Sequence, residues 1–128
     1  MKTMFVLFAA VLLLVAGCST PTSVSSLRGH GTRQVFNAGY DRTWSAAVAA
    51  AQTGDLTILN ADKATGYIST RRNLRPETFG ENVAIWVRPL DPVHTEVEVV
   101  SRQAGPPILV MRNWEQRILA SIAANLTT

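Results

Sequence analysis

A chain of 128 residues with 47% hydrophobic side chains has enough apolar material for one domain with its own core, and too little length for two. Twelve basic against nine acidic side chains leave a formal +3, too small an excess to mark a nucleic-acid-binding protein. A single cysteine excludes an internal disulfide, so packing alone must hold the fold.

The apolar residues are unevenly placed. Lys2 precedes an uninterrupted apolar run from Met4 to Val15, and Ala16-Gly17 supply small residues before Cys18, which is the layout of a secretory signal. A helix of that length spans about 18 Å, too short for a hydrocarbon core of about 30 Å. Val15-Ala16-Gly17-Cys18 resembles the lipobox of bacterial lipoproteins. The resemblance implies diacylglycerol on the Cys18 thiol, cleavage before Cys18 and acylation of the new amine. Residues 1–17 would then be a signal peptide, and losing Lys2 lowers the formal charge to +2. The small residues at the cut also suit ordinary signal cleavage, but only the lipoprotein reading gives Cys18 a purpose. Each buried methylene contributes about 0.8 kcal/mol, so two or three acyl chains hold a protein on a membrane where one does so only marginally. In the diderm envelope the residue after the cysteine directs sorting. Ser19, where an aspartate would retain the protein, implies the periplasmic face of the outer membrane.

Residues 18–32 follow as a lipidated cysteine and a flexible tether rich in Ser, Thr, Pro and Gly, which bury little. Residues 33–128 form the single domain. Residues 33–38 suit a short strand. Asp41 is placed to cap a helix in which Tyr40, Trp44, Ala47, Val48 and Ala51 make one apolar stripe, and Gly54 suits its end. Residues 56–60 are strand-like, Asp62-Lys63-Ala64-Thr65-Gly66 reads as a turn, and residues 67–72 return antiparallel. Val83, Ile85 and Val87 alternate with Ala84, Trp86 and Arg88, giving a strand with two distinct faces. After Pro89-Leu90-Asp91-Pro92, residues 95–102 alternate with Val97 and Val99 inward and Glu96 and Glu98 outward. Gly105-Pro106-Pro107 breaks regular structure, yet Ile108-Leu109-Val110-Met111 could pack as a buried stretch. Asn113 and Gln116 have capping-box spacing at the start of a helix whose stripe is Trp114, Ile118, Ser121, Ile122 and Leu126, widened by Leu119. The order condenses to β-α-β-β-β-α, an α+β two-layer sandwich with helices on one face of a mostly antiparallel sheet.

Tyr40-Asp41-Arg42-Thr43-Trp44, then Leu56-Thr57-Ile58 and the turn ending Gly66-Tyr67-Ile68, resembles the helix-grip domains of BamC-like envelope lipoproteins. In these an aromatic-Asp-x-x-Trp opens a helix ahead of a strand and a Gly-x-Ile turn. The resemblance covers about 30 residues and implies that fold, with a role accessory to an outer-membrane assembly complex.

The residues offer little chemistry. His30 lies in the tether and His94 in a turn, without the paired ligands of a metal site, and no Gly-x-Ser-x-Gly elbow is present. No cofactor is implied. Arg71, Arg72 and Arg75 close one strand and open the loop 73–82, with Arg88 nearby. Arginine forks there match an anion or headgroup, or they pair with Glu77 or Glu81 at a solvated strand end. Trp44 and Trp114 belong to helix stripes. Trp86 lies opposite the valine face and is expected on the open side of the sheet, where with Arg88 it would form a partner-binding surface. The sequence therefore predicts a membrane-anchored, non-enzymatic binding or scaffold domain with an envelope protein as partner. The alternatives are a carrier that holds a small or lipid-like ligand between helix and sheet, and, less favoured, an envelope hydrolase.

Overall fold

A computed structural model describes residues 24–72, 80–103 and 113–127. Five strands, β1 (Thr32–Phe36), β2 (Leu56–Asp62), β3 (Tyr67–Arg72), β4 (Glu81–Asp91) and β5 (His94–Gln103), form one antiparallel sheet in the order β1-β5-β4-β3-β2. The helices α1 (Tyr40–Ala50) and α2 (Trp114–Leu126) cover one face. This is the expected α+β two-layer sandwich. All four runs between the helices are strands, so the full order is β-α-β-β-β-β-α, one strand more than the condensed reading.

The core follows the periodicities. Trp44, Ala47 and Ala50 from α1 meet Trp114, Ile118 and Ile122 from α2 over Ile68, Ile85, Val87, Val97 and Val99. Alternation in β4 and β5 puts every second residue on this helix-covered face, the period-two signature of a sheet with two environments. The α2 cap is the expected one, since Asn113 Oδ1 accepts from Gln116 N–H at 3.2 Å. The start of α1 differs. Gly39 is the N-cap, and Asp41 is the second residue of the helix, in its first turn, exposed and 3.0 Å from Lys63. There its charge still opposes the positive end of the helix dipole.

One glycine fixes the β2–β3 hairpin. Gly66 has φ +74° and its carbonyl accepts from Val87 N–H at 2.7 Å, while a Cβ would stand 2.1 Å from Val87 O. Any side chain would push the hairpin away from β4.

The larger departure concerns the tether. Residues 24–31 fold as a strap across the sheet face opposite the helices. Val24, only 1% exposed, packs with Ala84, Trp86 and Val100, while Leu27 and Tyr67 flank them. The chain turns through Leu27 N–H to Val24 O and His30 N–H to Leu27 O, both 3.0 Å. Gly31 lies so close to β5 that a Cβ would meet Val99 O at 2.3 Å. Thus the second half of the predicted tether is packed, because Gly31 lets its backbone reach the sheet and Gly29 takes a φ of +95°.

Candidate functional site

The open face is organised in rows by strand register. Arg71, Asn82 and Arg102 form one row, Ser69, Ala84 and Val100 the next. Tyr67, Trp86, Glu98 and Arg33 form a third, and Arg88 and Glu96 a fourth. The strap crosses the middle rows; in the outer rows Arg71, Arg102 and Arg88 remain exposed, while Asn82 is buried.

Glu98 is the fastening point. Its carboxylate, expected on a solvated face, belongs to a residue only 6% exposed. Gly29 N–H donates to Oε1 at 2.9 Å and to Oε2 at 2.8 Å, and Gly31 N–H donates to Oε2 at 2.9 Å. Arg33 Nε adds an ion contact at 3.6 Å. These donors replace the water a buried carboxylate would otherwise lose. No local pattern near Glu98 announces this role, since its donors are backbone amides 67 and 69 positions earlier.

Trp86 is on the predicted face but is not exposed. It is 7% accessible, because Val24 packs beside it, Tyr67 lies 5.5 Å away ring to ring, and the Arg28 guanidinium stands 6.0 Å from its centroid. The expectation of an exposed tryptophan hot spot is therefore corrected. What remains is a cleft of about 260 Å³ at the strap's margin, lined by Arg28, Gly29, Arg33, Trp86, Arg88, Glu96 and Glu98. Arg88 stays exposed and pairs with Glu96 at 3.0 Å. Trp86 and Arg88 are thus brought together, with Arg28 and Arg33 joining them from the strap and β1. The sequence reading missed these two because it assigned Arg28 to a solvated tether.

The remaining arginines separate. Arg71 is exposed on the open face, where it aligns with Arg102 across Asn82. Arg72 points the other way and is buried, its Nη1 3.8 Å from Glu81 Oε1, while Trp114 Nε1–H donates to Glu81 Oε2. Arg72 is therefore a structural ion-pair residue under α2 and is corrected as a contact candidate. Arg75, Cys18 and the run 108–111 lie outside the described residues.

Among the described residues no group of three His, Cys, Asp or Glu could hold a metal ion. His94 pairs with Asp91 at 2.7 Å at the exposed β4–β5 turn. The Val93 amide holds the Asp91 carboxyl below its usual range, desolvation opposes it, and His94 adds to the lowering. That pair contributes to neither the open-face cleft nor a second, shallower one of about 460 Å³. The second cleft lies between the helices, with Arg42, Ser45, Ala49 and Asn125 in its lining. Burial raises the Tyr40 hydroxyl above its usual pKa, and this phenol donates to Lys63 O, bracing the β2–β3 turn against α1.

No protein-family model matches the chain, and no curated protein matches it. Among solved structures it is similar to the Zhui aromatase/cyclase from Streptomyces sp. R1128. The identity is 14% and the TM-score 0.41, over 75% of this chain and 84% of that one.

Proposed function

We propose that the protein is a lipid-anchored envelope domain, without chemistry of its own, that binds an anionic envelope component through the open face of its sheet. One observation carries this reading: the chain coming from Cys18 folds onto that face at Val24 and brings Arg28 beside Trp86, Arg33 and Arg88. Anchor and cleft are then parts of one surface. The lipobox residues Val15-Ala16-Gly17-Cys18 support the anchor, and the three guanidinium groups against two carboxylates support an anionic partner.

The carrier reading receives less support. Trp44, Ala47, Ala50, Trp114, Ile118 and Ile122 pack the space between helices and sheet where its ligand would lie.

The test is in-cell photocrosslinking from the open face at Arg88 and from the helix layer at Ser45, with Cys18→Ala as the unanchored control. The reading expects adducts from Arg88 that depend on Cys18, and few from Ser45. Adducts from Ser45 alone, or adducts indifferent to Cys18→Ala, would overturn it.

A further inference from the structure

We infer that the open face lies against the bilayer itself, with its exposed arginines on anionic lipid headgroups. The inference deepens the anchored-domain reading and rests on the lipidation of Cys18 that it proposes.

Chain length makes the first argument. Val24 is fixed on the open face among Ala84, Trp86 and Val100. The six Cα steps from Cys18 to Val24 can span at most about 22 Å however they run. A lipid on Cys18 therefore holds the centre of this face close to the surface, while the helices lie beyond the sheet. A tether this short corresponds to an effective concentration of order millimolar, so weak attraction suffices to orient the domain.

Charge makes the second. The exposed arginines Arg28, Arg33, Arg71, Arg88 and Arg102 belong to this side, against Glu96, Glu98 and Asp62. On the helix side Arg42, Lys63 and Arg117 stand with Asp41 and Asp55, while Glu115 lies at the sheet edge within the influence of Arg102 and Glu98. Among the described residues this leaves the open face basic, and at physiological salt such an excess acts within about 8 Å, a separation that lies inside the roughly 22 Å reach of the tether. Each arginine near an anionic surface strengthens the contact about fivefold. The guanidinium forks also match phosphate oxygens in geometry.

Full-length lipidated protein in vesicles tests this. Thr57→Cys and Ser45→Cys place a fluorophore on the open face and on α1, both at exposed positions, and a nitroxide headgroup lipid serves as quencher. Thermal melts check that both variants fold. On phosphatidylglycerol vesicles at low salt the Thr57 label should be quenched several-fold more than the Ser45 label. The ratio should fall toward one on pure phosphatidylcholine, in high salt, or with Arg71→Gln and Arg102→Gln together. Equal quenching of the two labels overturns the orientation. A ratio indifferent to lipid charge and salt overturns the headgroup contact, as would an open face protected by a bound acidic protein in place of lipid. Protein that does not remain with the vesicles overturns the anchor, and with it both readings.

Discussion

Replacing Glu98 with alanine removes the acceptor for both Gly29 and Gly31 amides and the ion partner of Arg33. A hydrogen bond to a charged group contributes about 1.5–3 kcal/mol. The sum is not additive, because a released strap rehydrates its amides and recovers about 1–2 kcal/mol of backbone entropy per residue. The balance leaves an expected loss of about 3 kcal/mol. At about 4–8 °C per kcal/mol for a domain of this size, Tm should fall by about 12–24 °C. Urea titration measures the loss, and amide exchange locates it. Gly29 and Gly31 should exchange about a hundredfold faster, since each 1.4 kcal/mol is tenfold, while β4 and α2 change only with global stability. Glu98→Gln, which keeps one acceptor oxygen, should lose about half as much. A loss under about 0.5 kcal/mol with unchanged exchange at Gly29 and Gly31 would refute the fastening role.

Gly31→Ala would put a Cβ 2.3 Å from Val99 O, so it should cost about 1–3 kcal/mol and loosen the same strap amides. Gly66→Ala combines φ +74° with a 2.1 Å approach to Val87 O, and denaturation should show a loss of at least about 2 kcal/mol. Trp114→Ala should cost about 3–5 kcal/mol, and Trp86→Ala less, because its apolar cover is a strap that can lift, whereas Trp114 is enclosed in the main core. Burial holds the Glu115 carboxyl above its usual 4.5, against opposing help from the Thr32 amide and Arg102. The folded state therefore binds the proton more tightly than the unfolded one, and this group's contribution falls as pH rises from the unfolded value through the raised one. Glu115→Gln should raise Tm at pH 7 relative to the parent, and the gain should vanish once the pH is below the unfolded value.

The helices and hairpins were legible because each needs only local information. Stripes at three and four residues marked Trp114, Ile118 and Ile122, and alternation assigned Trp86 to the face opposite Val83, Ile85 and Val87. The cover over Trp86 was not legible. Residues 24–31 have the composition of a solvated linker, and only Val24 and Leu27 among them are strongly apolar. Their docking depends on backbone N–H groups meeting a carboxylate almost seventy positions later, a contact with no sequence period. The same contact explains why Glu98 departs from the solvated face that its alternation with Glu96 suggests. For Arg72 the sequence offered a pairing with Glu81, which the structure has, but placed it at a solvated strand end; strand parity turns it under α2, where Glu81 and Trp114 enclose its end of the sheet.

The account stands on the joining of an acylated Cys18 to a strap that ends on the open face. Mass spectrometry of the N-terminal peptide from detergent-extracted membranes tests it most directly. The predicted peptide begins at Cys18 and carries the mass of a diacylglycerol and an amide-linked acyl chain. A chain still beginning at Met1, or a Cys18 with a free thiol, would contradict the anchor and leave the strap as an ordinary piece of the fold.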